Sequence, residues 1–353
     1  MISQAPEQAI AVFLPTWVGD VTMATPALRT LRTALPQHKL VGVVRGVGDQ
    51  LLDGTQWLDE FVHYDRNWLG SGSVHQAIAR LRQIGCSTAI LLSNSFTTAA
   101  MSWLAGCHRR IGFVRYGRRM LLTDALHAPR TKAGFTPRSA TVHYNEALEP
   151  LGLTVADQRL ELTVTAEEEN LAESFWRKNG LSDSQPVVVL NTGGAYGAAK
   201  RWPDEHFVEL ARKIACQLSV SVVINCGPAE QKTAAEIAAT ADHPRVISLA
   251  GEALSIGFSK AVIARAALVV TGDTGPRHIA AAFQRPTVAL FGSTDPRWSS
   301  NGNPHETALQ LQLDCQPCAK RTCPLQHHRC MRELTVEQVF QIARTSLATI
   351  CVH

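Results

Sequence analysis

The sequence predicts an α/β protein of two Rossmann-like, doubly wound domains, and three observations carry that prediction. Short β-branched runs alternate with helical patterns along most of the chain, the rhythm of a parallel sheet covered by helices. The rhythm pauses at the polar stretch LSDSQP and restarts with PVVVLN. The length, 353 residues, exceeds what one hydrophobic core usually organises and suits two domains.

In the first domain, residues 10–14, 40–44, 61–64 and 88–92 read as buried strands, each a short apolar run. Residues 21–35 and 74–84 read as helices. In the first of these, Ala24, Leu28, Leu31 and Leu35 recur every three or four positions. A further helix is expected at 166–180, with Glu167, Glu168 and Glu169 early and Arg177 and Lys178 late, an order that suits the helix macrodipole. The boundary is placed near 182–185, giving domains of 1–182 and 183–353. In the second domain, strands are expected at 187–190, 220–225, 246–249, 268–271 and 287–291. Helices at 205–217, 229–240, 256–264 and 275–283 separate them. Such domains bind ligands at the carboxyl ends of their strands, so a cleft between the two is expected there.

Composition narrows the class. The chain is 45% hydrophobic and 18% charged, and no apolar run approaches the ~20 residues that span a bilayer. The N-terminal MISQAPEQAIAVFLP lacks the basic and long apolar regions of a secretory signal. Cys86, Cys107, Cys216, Cys226 and Cys351 are scattered, several in apolar surroundings, which favours buried thiols in a reducing compartment and a cytoplasmic address. The net charge of +4 is unevenly spread: Arg109, Arg110, Arg115, Arg118 and Arg119 fall in a stretch without an acid. That patch suits either an anionic partner or a solvated surface. No stacking-aromatic or zinc-finger pattern accompanies it, so nucleic acid is not expected. Neither G-x-G-x-x-G after the first strand nor G-x-x-x-x-G-K-[ST] occurs, which argues against a dinucleotide enzyme or a P-loop NTPase.

Four segments carry chemistry. Asp20, in PTWVGD after the first strand, suits a helix N-cap or a carboxylate base for an incoming hydroxyl. The loop from Asn191 to Pro203 contains Thr192, Gly193, Gly194 and Lys200; its glycines permit close backbone approach, and Lys200 offers a point charge to a diphosphate or to water. Asp273, Thr274, Gly275 and His278 join a strand to a helix with Pro276 in its first turn, a helix N-terminus suited to phosphate. There Asp273 again fits a cap, and His278 a packed helix histidine. Asp-Thr-Gly occurs once and on an α/β background, so the paired-carboxylate chemistry of aspartic proteases is excluded. Finally, Cys315, Cys318, Cys323 and Cys330 are spaced for a structural zinc site, for reduced thiols or for an oxidisable pair.

Five pieces in order, VGDVTMATPALRTLR, RRIGFVRYGRRMLLTDAL, NTGGAYGAAKRWP, VTGDTGPRHIAAAFQRPTVALFGSTDP and CQPCAKRTCPLQHHRCM, resemble glycosyltransferase family 9, the ADP-heptose:lipopolysaccharide heptosyltransferases. They span residues 18–331. The resemblance implies a GT-B fold and an inverting transfer of heptose from ADP-heptose to the lipopolysaccharide inner core, with no metal required for the chemistry. The Pro-Thr-Trp-Val before Asp20 resembles the branch that adds the second heptose. By the same resemblance, Asp20 is the base and Lys200 contacts the donor diphosphate. Asp273, Thr274, Gly275 and His278 complete the donor site, with Glu230 on the ribose and Leu254 near the adenine. The acceptor is then a lipid-anchored Kdo/heptose core at the inner leaflet of the cytoplasmic membrane, met by the arginines at 109–119. Pro276-Arg277 departs from the family pattern and would place an extra cation near the phosphates. Two other readings are a GT-B transferase or epimerase using a UDP- or GDP-sugar, and a non-catalytic scaffold built on the cysteine cluster.

Overall fold

The computed structural model describes residues 9–65, 67–70, 72–132, 134–194 and 197–350. Residues 1–8, Ala195, Tyr196 and Cys351, which enter the sequence reading, lie outside them. The chain divides into two compact units, the first ending at Thr163 and the second beginning at Val164.

In unit 1 the elements run β1 (Ala9–Phe13), α1 (Val18–Met23), α2 (Thr25–Ala34), β2 (Leu40–Val44), α3 (Gly48–Leu51) and β3 (Glu60–His63). There follow α4 (Val74–Ile84), β4 (Cys86–Leu91), α5 (Phe96–Leu104), β5 (Arg109–Phe113) and β6 (Asp124–Leu126). A small hairpin, β7 (Arg130–Thr131) with β8 (Gly134–Phe135), and α6 (Ala140–Glu146) come last. The sheet is parallel, in the order β3-β2-β1-β4-β5-β6. Helices covering both faces explain why β1 and β2 are continuous apolar runs, buried at every residue.

Two expectations change here. The helix expected at 21–35 is two helices meeting at Ala24. Pro26 sits in the first turn of α2, where its missing N–H costs nothing, whereas inside one long helix it would break a hydrogen bond. β5 and β6 were not anticipated, because Arg109 and Arg110 head β5 and obscure its apolar end, Ile111–Phe113.

Unit 2 repeats the plan. Its elements are α7 (Ala166–Lys178), β9 (Val187–Asn191), α8 (Asp204–Gln217), β10 (Ser221–Asn225), α9 (Gln231–Ala241) and β11 (Val246–Ser248). The chain continues through α10 (Ile256–Arg265), β12 (Leu268–Gly272), α11 (Gly275–Ala282), β13 (Thr287–Phe291) and β14 (Glu306–Gln310). It ends with α12 (Arg329–Arg332) and α13 (Val336–Ile350). This parallel sheet has the order β11-β10-β9-β12-β13-β14, the same winding as unit 1. In both units the strand order reverses beside the first strand, which creates the crevice where doubly wound folds hold ligands.

The division at Thr163/Val164 falls earlier than the expected 182/183, and α7 supplies the reason. Thr165 and Glu168 form a reciprocal capping box. Glu168 then meets the fully buried Lys260 of α10 at 3.0 Å, and Glu169 meets Arg265 at 2.5 Å. These contacts make α7 part of unit 2. Burial pushes the thiols of Cys86, Cys107 and Cys226 up to about 11, 12 and 11, whereas Cys216 is exposed. No helix among the described residues is long and apolar enough to cross a membrane.

Candidate active site

In unit 2 the parallel strands β9 and β12 lie side by side, so the loops leaving their carboxyl ends meet. Lys200, at the end of a 3₁₀ turn (Ala198–Lys200), reaches Asp273 after β12. Its Nζ donates to Asp273 Oδ2 at 2.6 Å and to the Asp273 carbonyl at 3.0 Å. The carboxylate also accepts from Thr294 Oγ1 at 2.8 Å, Ser299 Oγ at 2.9 Å and Arg277 Nη1 at 3.3 Å. It is therefore no cap: Thr274 holds the N-cap position of α11, and Gly275 and Pro276 open the helix. First-turn amides of such a helix, with the positive end of its dipole, suit an anion.

Charge follows geometry. Burial alone would raise the Asp273 pKa, but Lys200 and Arg277 override it and hold the carboxyl well below the usual range. Burial, with Arg277 and Lys200 adding to it against Asp273, pushes the His278 imidazole well down, so it is neutral. His278 Nδ1 is buried with no hydrogen-bond partner. Arg277 is not the free cation that the sequence suggested. Its guanidinium is 1% exposed, pairs with Glu306 at 2.6 and 2.8 Å, and donates to the Ser299 carbonyl at 2.8 Å. It lies over the Phe291 ring.

The glycine-rich loop is held from below. Asn191, the last residue of β9, donates to the Gly193 carbonyl at 3.0 Å and accepts from Asn225 at 3.0 Å. Both asparagines are buried; the sequence reading had Asn191 only as the start of the loop and Asn225 only as the end of a strand. A Cβ on Gly193 would lie 2.9 Å from Glu230 Cδ, and one on Gly194 would lie 3.0 Å from Thr274 Cγ2. Glycine at 193 and 194 thus lets Glu230 and the α11 N-terminus close on the loop. Thr192 Oγ1 and Ser293 Oγ are buried beside these residues in the chain without partners. Leu254 is half-buried in the approach to α10. Trp202 is core, its indole N–H donating to the Leu334 carbonyl at 2.9 Å.

The cysteine segment packs behind the same loops. Ala199 N donates to the Arg321 carbonyl at 3.0 Å, Ala319 N to the Ser293 carbonyl at 2.7 Å, and Gln316 Nε2 to the Gly292 carbonyl at 2.8 Å. Cys315, Cys318, Cys323 and Cys330 line one cavity of about 20 Å³ together with Ala199, Ser293 and His327. Yet among the described residues no group of three or more His, Cys, Asp or Glu has an arrangement that holds a metal ion. What the segment does visibly is brace the loops around Lys200.

In unit 1, Asp20 stands in the first turn of α1 while Trp17 takes the N-cap position, with no side-chain cap bond. Its Oδ1 accepts from the Tyr144 hydroxyl at 2.9 Å. Burial, together with the Asp20 charge, raises the Tyr144 phenol well above its ordinary value, so it stays a donor. Beside it, His143 stacks on Phe113 with ring centroids 3.7 Å apart. Burial, then Arg115, Arg118 and Arg138, push its pKa down to about 4. Arg118 Nη2 donates to Asn94 Oδ1 at 2.9 Å, which turns Asn94 Nδ2 toward His143 Nε2 at 3.2 Å. His143 Nε2 is then the acceptor.

The five arginines do not form one surface. Arg118 is fully buried and donates to the Phe113 and Ser93 carbonyls at 2.9 and 2.5 Å. Arg109 pairs with Asp124 at 2.9 Å and also reaches the Pro150 carbonyl. Arg110 donates to the Leu121 carbonyl at 2.6 Å and to the Cys107 carbonyl. Only Arg119 is exposed, and Arg115 is half-buried over the Phe135 ring. Burying a guanidinium is tolerated when its donors are matched, and a β-strand start followed by a tight turn supplies the carbonyls.

Comparison with known proteins identifies the family. The model of glycosyltransferase family 9 (heptosyltransferase) matches residues 74–329. The chain is 27% identical over 349 residues to lipooligosaccharide heptosyltransferase 2 of Campylobacter jejuni, covering 96% of this chain and 98% of that one. It is 26% identical over 348 residues to lipopolysaccharide heptosyltransferase 2 of Salmonella typhimurium, covering 94% and 96%. The solved E. coli ADP-heptose LPS heptosyltransferase II shares the fold with a TM-score of 0.76 at 24% identity, over 97% of this chain and 99% of that one. With a family match over most of its length and two doubly wound sheets of the GT-B class, this chain belongs to glycosyltransferase family 9, the heptosyltransferases.

Proposed function

We propose that this chain transfers a heptose from ADP-heptose to the inner core of lipopolysaccharide, adding the second heptose, with inversion and without a metal in the chemistry. The observation that carries the reading is the Lys200 ammonium, fixed by Asp273 at 2.6 Å beside the α11 N-terminus. Relatives that bear the name heptosyltransferase 2 support the substrate class, and the E. coli structure's title names the ADP-heptose donor.

The reaction balances as follows. The acceptor hydroxyl attacks the anomeric carbon as the bond from that carbon to the ADP β-phosphate oxygen breaks. Asp20 takes the hydroxyl proton, and Tyr144 orients its carboxylate through Oδ1. Negative charge gathers on the departing diphosphate, where Lys200 and the amides at Thr274 and Gly275 stabilise it. Asp273 acts through Lys200, holding the ammonium in place. Gly193, Gly194 and Thr192 form the backbone floor of the donor site, with Glu230 on the ribose and Leu254 toward the base. On the acceptor side, Arg115 and Arg119 are the arginines placed to meet phosphate groups. The acceptor is lipid-anchored, so the enzyme works in the cytoplasm as a peripheral visitor to the membrane.

Incubating the enzyme with ADP-heptose and defined truncated cores, read by mass spectrometry, tests this reading. It requires one added heptose on a monoheptosylated core and none on the bare Kdo core. Addition to the bare core instead would assign the first transfer, and no addition to either would remove the assignment.

A further inference from the structure

Unit 1 distributes its exposed apolar side chains unevenly. Among the described residues, all of its large exposed hydrophobics but one follow the carboxyl end of a parallel strand. Trp17 follows β1, Trp68 and Leu69 follow β3, Phe96 follows β4, and Tyr116 and Met120 follow β5. The exception, Trp103, lies near the far end of α5, at the opposite rim of the sheet. Leu69 and Met120 are each 82% exposed and Tyr116 is 79% exposed. A soluble surface has no use for such a concentration, and clusters of this kind mark contact sites.

Sheet order gives the rim a geometry. β1, which leads into the Asp20 turn, is third in the order β3-β2-β1-β4-β5. The Trp68-Leu69 loop and the Tyr116 turn therefore leave strands two places to either side of it, roughly 10 Å away at ordinary strand spacing. Tyr116 (φ 47°) and Gly117 (φ 74°) are both left-handed, which turns the chain sharply and lifts Tyr116 off the sheet.

Charge selects the partner. Arg115 and Arg130 lie over the Phe135 ring at 3.5 and 4.3 Å, and the exposed Arg119 and Lys132 stand on the adjoining segments. The only acid from residue 113 to 138 is Asp124, which Arg109 occupies. The other acids on these loops are hydrogen-bonded, Asp20 by Tyr144, Asp49 by His63 at 2.8 Å and Asp65 by Asn67, and Arg115, Arg119, Arg130 and Lys132 outnumber them. Aromatic and aliphatic tips next to unopposed cations suit the interface of an anionic bilayer, where rings sit at headgroup level and arginines meet phosphate.

We propose that the carboxyl-end rim of unit 1 docks on an anionic lipid bilayer, inserting Trp68-Leu69 and Tyr116 on either side of the Asp20 turn. This rests on the reading of a lipid-anchored acceptor, but its test needs no sugar transfer. Flotation of the full-length protein with phosphatidylglycerol-containing vesicles should show binding that phosphatidylcholine vesicles do not support. The combined variant W68S/L69S/Y116S should lose about tenfold or more of that binding, the scale expected from removing several interfacial side chains. Trp103→Ser should bind as the wild type does, and unchanged melting curves would show that all variants fold.

Equal loss in Trp103→Ser, no wild-type binding, or a rim-dependent dimer by light scattering without lipid would each overturn the proposal. Vesicle binding without heptose transfer would leave the docking surface standing and remove the transferase assignment. Transfer to a soluble acceptor without vesicle binding would do the reverse.

Discussion

Asp273→Asn is the perturbation whose outcome the structure fixes most tightly. The Asp273 and Lys200 side chains are 6% and 12% exposed, so solvent screens them little. Asparagine keeps one acceptor oxygen for Thr294 or Ser299 but turns an amide donor toward a cation. Removing one partner of a buried ion pair typically costs ~3–5 kcal/mol. Arg277 keeps Glu306, and Lys200 keeps its bond to the backbone carbonyl of residue 273, so the lower end, about 3 kcal/mol, applies. In a unit of this size that corresponds to roughly 6–12 °C in melting temperature. Urea unfolding followed by tryptophan fluorescence, paired with calorimetric ADP titration, reads both consequences. ADP affinity should also fall, because Lys200 is no longer fixed beside α11. A cycle with Lys200→Met should show coupling of at least ~1.5 kcal/mol, in the range of close charge pairs. The Asp273 pKa is depressed in the fold, so this stability is present above the unfolded value of about 4 and is lost as pH falls below it. If Asp273→Asn stayed within about 0.5 kcal/mol of the wild type, the size of an ordinary surface substitution, the buried pair would not be holding this site.

Three further outcomes follow from other contacts. His143 is driven down to about 4 from an ordinary value near 6.5, so the unfolded chain binds the extra proton. Stability should then decline from pH 6.5 toward 4 by about 3 kcal/mol, and His143→Asn should flatten that decline in denaturation curves taken across the range. Gly193→Ala would set a Cβ 2.9 Å from Glu230 Cδ and displace that side chain. ADP binding should weaken by about tenfold, one lost ribose hydrogen bond to a charged group, while the melting temperature holds. Arg277→Met should destabilise by ~3 kcal/mol or more through stranded Glu306; a variant as stable as the wild type would return Arg277 to a ligand-facing role.

The sequence made the repeating plan legible because strands buried on both faces must be continuous apolar runs, as 187–191 and 287–291 are. Edges were harder to read. β14 has no fully buried residue, so its composition carries no apolar signature. The Lys200 loop and the Asp273 turn were visible as local motifs, each at the end of a strand. Their contact was not, since it depends on β9 and β12 being neighbours. Tyr144 lies 124 positions from Asp20, and Glu306 lies 29 from Arg277, beyond the reach of any periodicity. The internal partners of Arg109, Arg110 and Arg118 were hidden for the same reason: a charge run shows cations but not the carbonyls and Asp124 that meet them.

In the proposed reaction Asp20 removes the acceptor proton while Lys200 and the α11 N-terminus carry the leaving group. Single-turnover transfer and ADP binding, measured side by side for Asp20→Ala and Lys200→Ala, test it most directly. Asp20→Ala should abolish transfer and leave ADP affinity within about twofold, since a group acting only in the transition state does not bind the ground state. Lys200→Ala should weaken ADP binding and slow transfer by roughly a hundredfold or more, the usual cost of one lost electrostatic donor. Near-normal turnover in Asp20→Ala, or Lys200→Ala that binds ADP and turns over as the wild type does, would contradict the account.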